Sequence, residues 1–285
     1  MKISSDQYKN STHKNITLMG MSGVGKTYLS NILRKDNWFH YSGDYRVGTR
    51  YLDEIILDVI KQQAMSVPFL KNLLRKDWIS IKNNIKIDDL GPVLSFIGKL
   101  GDPYKNGVAL ADFIKRQAMY REAEIQAMAD VSSFIKKSQK IYGYNNFIND
   151  AGGSLCELDH PGLIDDLNKN TLIIYIKTTN KEEEQALINR ALSAPKPLYY
   201  PPKFLKKYLK KYLQEKDLPF AALIDPDEFT KWIFPILFKS RLPKYDSIAK
   251  KYGISVTSAE ISQIKNENDF NRLIIKTLQN ANNSS

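Results

Sequence analysis

The sequence predicts an α/β fold: a three-layer sandwich around a mainly parallel sheet of about five strands, with a large helical insertion after the second strand. Three observations carry this. Asn15-Ile16-Thr17-Leu18-Met19 is a short, β-branched apolar run, and it passes through a glycine-rich turn into Leu29, Ile32 and Leu33 at helical spacing. Four further strand-like segments are separated by stretches of helical pattern, the arrangement that sets strands parallel. Leu52, Ile55, Ile56, Val59 and Ile60 then open a long helical tract at i, i+3, i+4, i+7 and i+8.

Taken in order, residues 1–14 are polar and read as a loose arm. The first strand, its glycine loop and a helix run to about Lys35. Trp38-Phe39-His40-Tyr41-Ser42 is aromatic-rich and reads as the second strand, ending at Gly43-Asp44. The tract 51–142 is helical. Pro68, Pro92 and Pro103 break residues 66–108 into short helices and loops, and Ala109 to Tyr142 reads as one long helix or two, closed by Gly143. Asn145 to Asp150 and Thr171 to Lys177 are the third and fourth strands. Gly253 to Thr257 is the fifth, after a helix over roughly 227–251. The expected organisation is a nucleotide-binding core (15–50 and 143–279), a helical insertion (51–142) as candidate acceptor-binding subdomain, and a flexible tail (280–285).

The chain has 285 residues, 42% of them hydrophobic, which is ample for one enlarged domain or a core with an inserted subdomain. It carries 42 basic and 31 acidic side chains, a net charge of +11, with a pI near 9.4. That balance favours anionic partners, although Lys, Asn and Ile are abundant together, as in a general compositional bias. With Cys156 as its only cysteine, the chain forms no intrachain disulfide. The first residues have no apolar core like that of a signal peptide, and no run of apolar residues is long enough for a membrane span. A cytoplasmic protein is expected.

Gly20-Met21-Ser22-Gly23-Val24-Gly25-Lys26-Thr27 fills every fixed position of G-x-x-x-x-G-K-[ST], the phosphate-binding P-loop. Glycines let successive backbone N–H groups turn inward on an anion. The candidate phosphate cradle is therefore Gly20, Ser22, Gly23, Val24, Gly25, Lys26, Thr27 and Tyr28, at the positive end of the helix that follows. Lys26 would reach the β- and γ-phosphates of a nucleoside triphosphate and the Thr27 hydroxyl would hold Mg²⁺. A second metal-side acid is expected at the tip of a neighbouring strand. Asp150 is the candidate, because Ala151-Gly152-Gly153-Ser154 follows it as a turn of small residues; Asp159, after Leu155-Cys156-Glu157-Leu158, is its rival.

Ser42-Gly43-Asp44-Tyr45-Arg46 falls at the C-terminal end of the second strand, the edge where ligands of open α/β sheets bind. Asp44 there would take a proton from an acceptor hydroxyl, or else cap the next helix, and Arg46 and Arg50 would clamp an anion. A P-loop followed by a strand ending Gly-Asp with arginine close behind resembles the small-molecule P-loop kinases. Adenylylsulfate kinase carries Gly-Asp-x-x-Arg here, and gluconate and shikimate kinases carry acids. In this chain Arg46 stands two residues after Asp44 instead of three. The run from Ile173 to Glu183, leading to a helix with Arg190, resembles the strand-to-lid step of deoxynucleoside and nucleoside-monophosphate kinases. The resemblance implies that Arg190 folds over the phosphates. The Phe204–Leu213 segment reads as an amphipathic helix with a solvated lysine face. Arg241-Leu242-Pro243-Lys244-Tyr245 resembles the Arg-x-Pro-Leu-Tyr segment of shikimate kinase, with lysine where leucine is usual. This implies that Arg241 binds an acceptor carboxylate; the alternative is an ion pair at the helix entry.

Asp159-His160-Pro161-Gly162 and Asn180-Lys181-Glu182-Glu183 resemble the D-x-x-G and N-K-x-D motifs of GTPases. Glu183 is one methylene too long for base recognition, and both fragments lie more than 130 residues after Thr27. They read as coincidental, and the resemblance to the kinase branch implies ATP with Mg²⁺. The function expected is transfer of the γ-phosphate to a small hydroxylated or phosphorylated metabolite, with Lys26, Asp44, Arg46, Arg190 and Arg241 at the chemistry. The alternative is an ATPase or nucleotide-dependent switch whose insertion binds a partner. A nucleic-acid partner rests on charge alone and is not expected.

Overall fold

The computed structural model describes residues 3–283. Five strands, β1 (Asn15–Met19), β2 (Trp38–Ser42), β3 (Asn146–Asp150), β4 (Leu172–Lys177) and β5 (Gly253–Thr257), form one parallel sheet in the order β2-β3-β1-β4-β5. The fold is the α/β sandwich expected from the sequence. Register aligns the strand ends: Leu18 pairs with Asp150, and Ser42 pairs with Asp150 from the other side. The segments leaving β1, β2 and β3 therefore emerge side by side.

Helices cover both faces, so the central strands β1, β3 and β4 are buried along nearly their whole length instead of on alternate residues. The helices are α1 (Ser5–Asn10), α2 (Lys26–Leu33), α3 (Gly43–Arg46), α4 (Asp53–Ala64), α5 (Pro68–Arg75), α6 (Gly91–Ile97), α7 (Leu110–Ala129), α8 (Val131–Lys140), α9 (Leu163–Asn170), α10 (Lys181–Ser193), α11 (Pro202–Glu215), α12 (Pro226–Tyr252), α13 (Ser258–Ser262) and α14 (Glu267–Asn283). One layer holds α8, α9 and α12, where Phe134 of α8 packs on Tyr41 of β2. The opposite layer includes α14, whose Phe270 meets Trp38 edge-on. Inside the sheet, Thr17 is paired with Thr171 through their hydroxyls and also accepts from Asn149 Nδ2, so both threonines are satisfied, while Asn149 Oδ1 is buried without a partner.

Three segments differ from the sequence expectation. Residues 5–10 of the expected loose arm are helical: Ser4 and Gln7 form a reciprocal capping box, and Tyr8 is buried, its hydroxyl donating to Asn271 Oδ1. Residues 1–2 of that arm lie outside the described residues. Of the expected flexible tail, 280–283 continue α14 and 284–285 lie outside the described residues. The tract 51–142 is only partly an insertion. Val131 and Ile135 of α8, with Ala127 and Met128 of α7, belong to the main core. Parallel neighbours β2 and β3 need a crossover on one face of the sheet, and α7–α8 supply it. A satellite core joins Phe113 of α7 to Leu205 and Leu209 of α11 and to Phe229 and Ile233 of α12. No helix among the described residues is long and apolar enough to cross a membrane.

Candidate functional site

The glycine loop runs from the end of β1 into α2, whose N-cap is Gly25. Lys26 is buried and its Nζ donates to two carbonyls of its own loop, Gly20 O at 2.9 Å and Met21 O at 3.2 Å. Burial holds the ammonium pKa below its ordinary value, and the Asp150 and Asp44 carboxylates push it back up. Gly23 has φ of +92°, a region that side-chain-bearing residues avoid, and the space a Cβ would need there is filled by the guanidinium of Arg190 from α10. Ser22, Gly23, Gly25, Lys26, Thr27 and Tyr28 line a cavity of about 370 Å³. Gly20 and Val24 do not line it. Val24 is buried in the core, and a Cβ at Gly20 would sit 2.5 Å from Ile176 O, so the strand crossing there requires glycine.

Asp150 and Asp44 face the same cavity. Thr27 Oγ1 donates to Asp150 Oδ2 at 2.7 Å. The rival acid Asp159 is exposed and lines a different cavity. His40 of β2, passed over in the sequence, also lines the loop cavity. Its Nε2 stands 3.9 Å from Asp150 Oδ2, and neither ring nitrogen has a hydrogen-bond partner. Burial lowers its pKa, against the pull of Asp150. The signal was a polar residue at an inward position of a strand otherwise rich in aromatics.

Asp44 is the first residue after the N1 position of α3, whose N-cap is Ser42. Its carboxyl is pushed up to about 6, mainly by burial and then by Asp150, while Lys26 and a hydrogen bond with Tyr120 pull the other way. Behind it stands Glu124 of α7, a second residue the sequence did not single out. Glu124 Oε2 accepts from Ser154 Oγ at 2.6 Å. Burial, and then the Asp44 charge, pushes its carboxyl up to about 8. Asp44 Oδ1 and Glu124 Oε1 are both buried without a partner, and both close on Gly152, where a Cβ would meet them at 2.8 and 2.5 Å. Only a glycine admits this pair. Its sequence signal was a carboxylate placed among Ala123, Ala127 and Met128 on the buried face of α7.

Two expected arginines do not join the site. Arg46 turns to α8: Nε and Nη2 donate to Asp130 Oδ2 at 2.8 and 2.7 Å, and the guanidinium lies 4.8 Å over the Phe134 ring. Tyr51 donates to the same carboxylate oxygen. The anion-clamp expectation for Arg46 is thus corrected, since its charge is already matched within the fold; Arg50 is exposed and does not line the cavity. Arg241 of α12 is buried, with Nε on Glu157 Oε2 at 2.7 Å, Nη1 on Gly153 O at 2.9 Å and Nη2 on Tyr199 O at 3.0 Å. Lys244 adds a second cation to Glu157. The carboxylate-binding expectation for Arg241 is corrected in the same way: it serves as a buried tie.

That tie also separates the site from the larger cavity of the molecule. About 1150 Å³ lies between α7 and α11, walled by Ile114, Leu205, Leu209 and Tyr199, and Arg241 bridges its wall at Tyr199 to the P-loop wall at Gly153. The GTPase-like fragment at 180–183 is structural. Asn180 caps α10 by accepting from Glu183 N, and Glu183 Oε2 accepts from Thr179 N and Ser258 Oγ.

The hard oxygens of Thr27 and Asp150 fit Mg²⁺, which takes one or two protein ligands and completes its shell with water and phosphate oxygens. No group of three or more metal-ligating side chains occurs among the described residues.

No family model matches the chain, and no curated protein matches it in sequence. Among solved structures it is similar to shikimate kinase from Bacteroides thetaiotaomicron, at 14% identity and a TM-score of 0.32, over 79% of this chain and 98% of that one. It is also similar to shikimate kinase from Acinetobacter baumannii in complex with shikimate, at 13% identity and a TM-score of 0.36, over 99% of this chain and 98% of that one. Likeness at TM-scores this low carries no argument about activity or substrate.

Proposed function

We propose that the chain is an ATP-dependent phosphotransferase of the cytoplasm that moves the γ-phosphate to a small hydroxylated metabolite. One observation supports this above the rest: Asp44, a buried carboxyl pushed up to about 6, faces the same small cavity as Lys26, Thr27 and Asp150. A hydrolase needs the last three; a transferase also needs an acid on the acceptor side. Phosphate in the loop would draw Lys26 Nζ off Gly20 O and Met21 O onto phosphate oxygens. Arg190, poised over Gly23, would neutralise charge during transfer. Thr27 and Asp150 would hold Mg²⁺, which supplies charge neutralisation on the phosphates. Asp44 would orient the acceptor hydroxyl and accept its proton. With Arg46 held by the half-buried Asp130 and Arg241 by the buried Glu157, a phosphorylated or carboxylated acceptor has less to bind it than a neutral one.

The test is ATP consumption across a panel of hydroxylated metabolites, with Lys26→Ala as control. Acceptor-dependent turnover that disappears in the variant is expected. Turnover unchanged in Lys26→Ala would overturn the assignment. The second reading, a nucleotide-dependent switch whose helical tract binds a partner, uses the same glycine-loop cavity and differs in leaving Asp44 dispensable.

A further inference from the structure

The segment from the end of α4 through α5 to Lys82 combines features that the nucleotide site does not use. None of the eight residues of α5 is buried. Phe69 is 70% exposed and Trp78 68%, and Met65, Val67 and Ile79 are exposed beside them. Large apolar side chains gathered on one exposed segment are unusual on a protein surface and mark a contact site. Around the α5 helix, Phe69, Leu70, Leu73 and Leu74 fall on one side, and Lys71, Asn72 and Arg75 on the other.

Charge identifies what covers this surface. Between residues 61 and 82 stand Lys61, Lys71, Arg75, Lys76 and Lys82, against Asp77 alone. All five cations are exposed, and none forms an ion pair among the described residues. A second copy of the chain is disfavoured, because a two-fold contact would set five cations against the same five. A nucleic acid would use the cations and stack on the two aromatics, but it offers nothing to Met65, Val67, Leu70 or Ile79. A bilayer of anionic lipid uses every feature: lysines at the headgroup level, Trp78 in the interface, and aliphatic side chains among the acyl chains.

We propose that residues 61–82, from the end of α4 through α5, dock the protein on an anionic membrane surface through an apolar face ringed by four lysines and an arginine that form no ion pair among the described residues, Lys76 lying over the Trp78 ring. This site is remote from the glycine loop in sequence and does not depend on whether the nucleotide reaction is transfer or hydrolysis.

Trp78 reports on the contact directly. Trp38 is fully buried and Trp232 is half-buried with its Nε1 on Glu215, so a change in tryptophan emission on docking belongs to Trp78. The experiment is co-sedimentation of the full chain with vesicles of phosphatidylcholine alone or mixed with phosphatidylglycerol, with emission spectra in parallel. Expected results are binding to the mixed vesicles only, weakening as salt rises, and a blue shift that Trp78→Phe abolishes. Phe69→Ser and, independently, Lys71→Glu with Lys76→Glu should each weaken binding about tenfold or more, with circular dichroism unchanged. No binding to mixed vesicles at low salt would overturn the proposal. So would equal binding to phosphatidylcholine, wild-type binding by both variants, a Trp78 response to single-stranded RNA in place of vesicles, or a dimer in gel filtration that Phe69→Ser dissolves.

Discussion

Arg241 Nε donates to Glu157 Oε2 at 2.7 Å, and both side chains are buried. A guanidinium so held cannot be withdrawn without leaving a carboxylate in low dielectric with Lys244 as its remaining cation. Arg241→Ala should therefore cost about 3–5 kcal/mol of stability. Denaturant unfolding measures it. A variant of near wild-type stability whose acceptor KM alone rises would return Arg241 to the acceptor site.

Asp44→Asn keeps the shape of the side chain and removes its basicity. Transfer to an acceptor should fall by about 10²–10⁴ while nucleotide affinity is retained. Single-turnover assays alongside equilibrium nucleotide binding separate the two. Full activity in the variant would favour the switch reading, where this acid is dispensable.

Glu124 makes stability depend on pH in a stated direction. Its folded pKa, about 8, lies above the ordinary carboxylate value, so the folded state binds the proton more tightly than the unfolded chain. The stability it contributes is complete below about pH 4.5 and is lost as pH rises through about 8. Glu124→Gln mimics the protonated form and still accepts from Ser154. Its melting temperature relative to wild type should rise from pH 5 to pH 8, by on the order of 5 °C. A constant difference across that range would show that Glu124 is ionised throughout.

At Gly23 an added Cβ meets both an unfavourable φ and the Arg190 guanidinium. Gly23→Ala should weaken nucleotide binding by about 1–3 kcal/mol, through backbone strain and displacement of the arginine. Calorimetric titration of wild type, Gly23→Ala and Arg190→Ala would apportion the loss; equal affinity in all three would remove Arg190 from the phosphates.

What could be read from the sequence was local. The glycine loop, its flanking strand and helix, and Asp150 before its small-residue turn are each defined within a few residues, and all five strands were placed. What could not be read was the destination of long charged side chains. Arg46 and Arg241 looked like anion clamps beside the motif, yet each ends on an acid 84 residues away in the chain, Asp130 and Glu157 respectively. Periodicity identifies the buried face of α7, but not that a carboxylate there would meet Asp44 across Gly152. Likewise, helical spacing in 51–142 does not show that its second half is a covering layer of the sheet.

The hold of Lys26 on Gly20 O and Met21 O has a kinetic consequence. The glycine loop is already closed around its own cation, so an arriving phosphate exchanges partners with two carbonyls instead of entering an open cradle. Capture of a phosphate there would be a two-step event, with a fast encounter followed by a first-order rearrangement of the lysine. The observed association rate should level off as nucleotide is raised, at a ceiling set by the loop and not by diffusion.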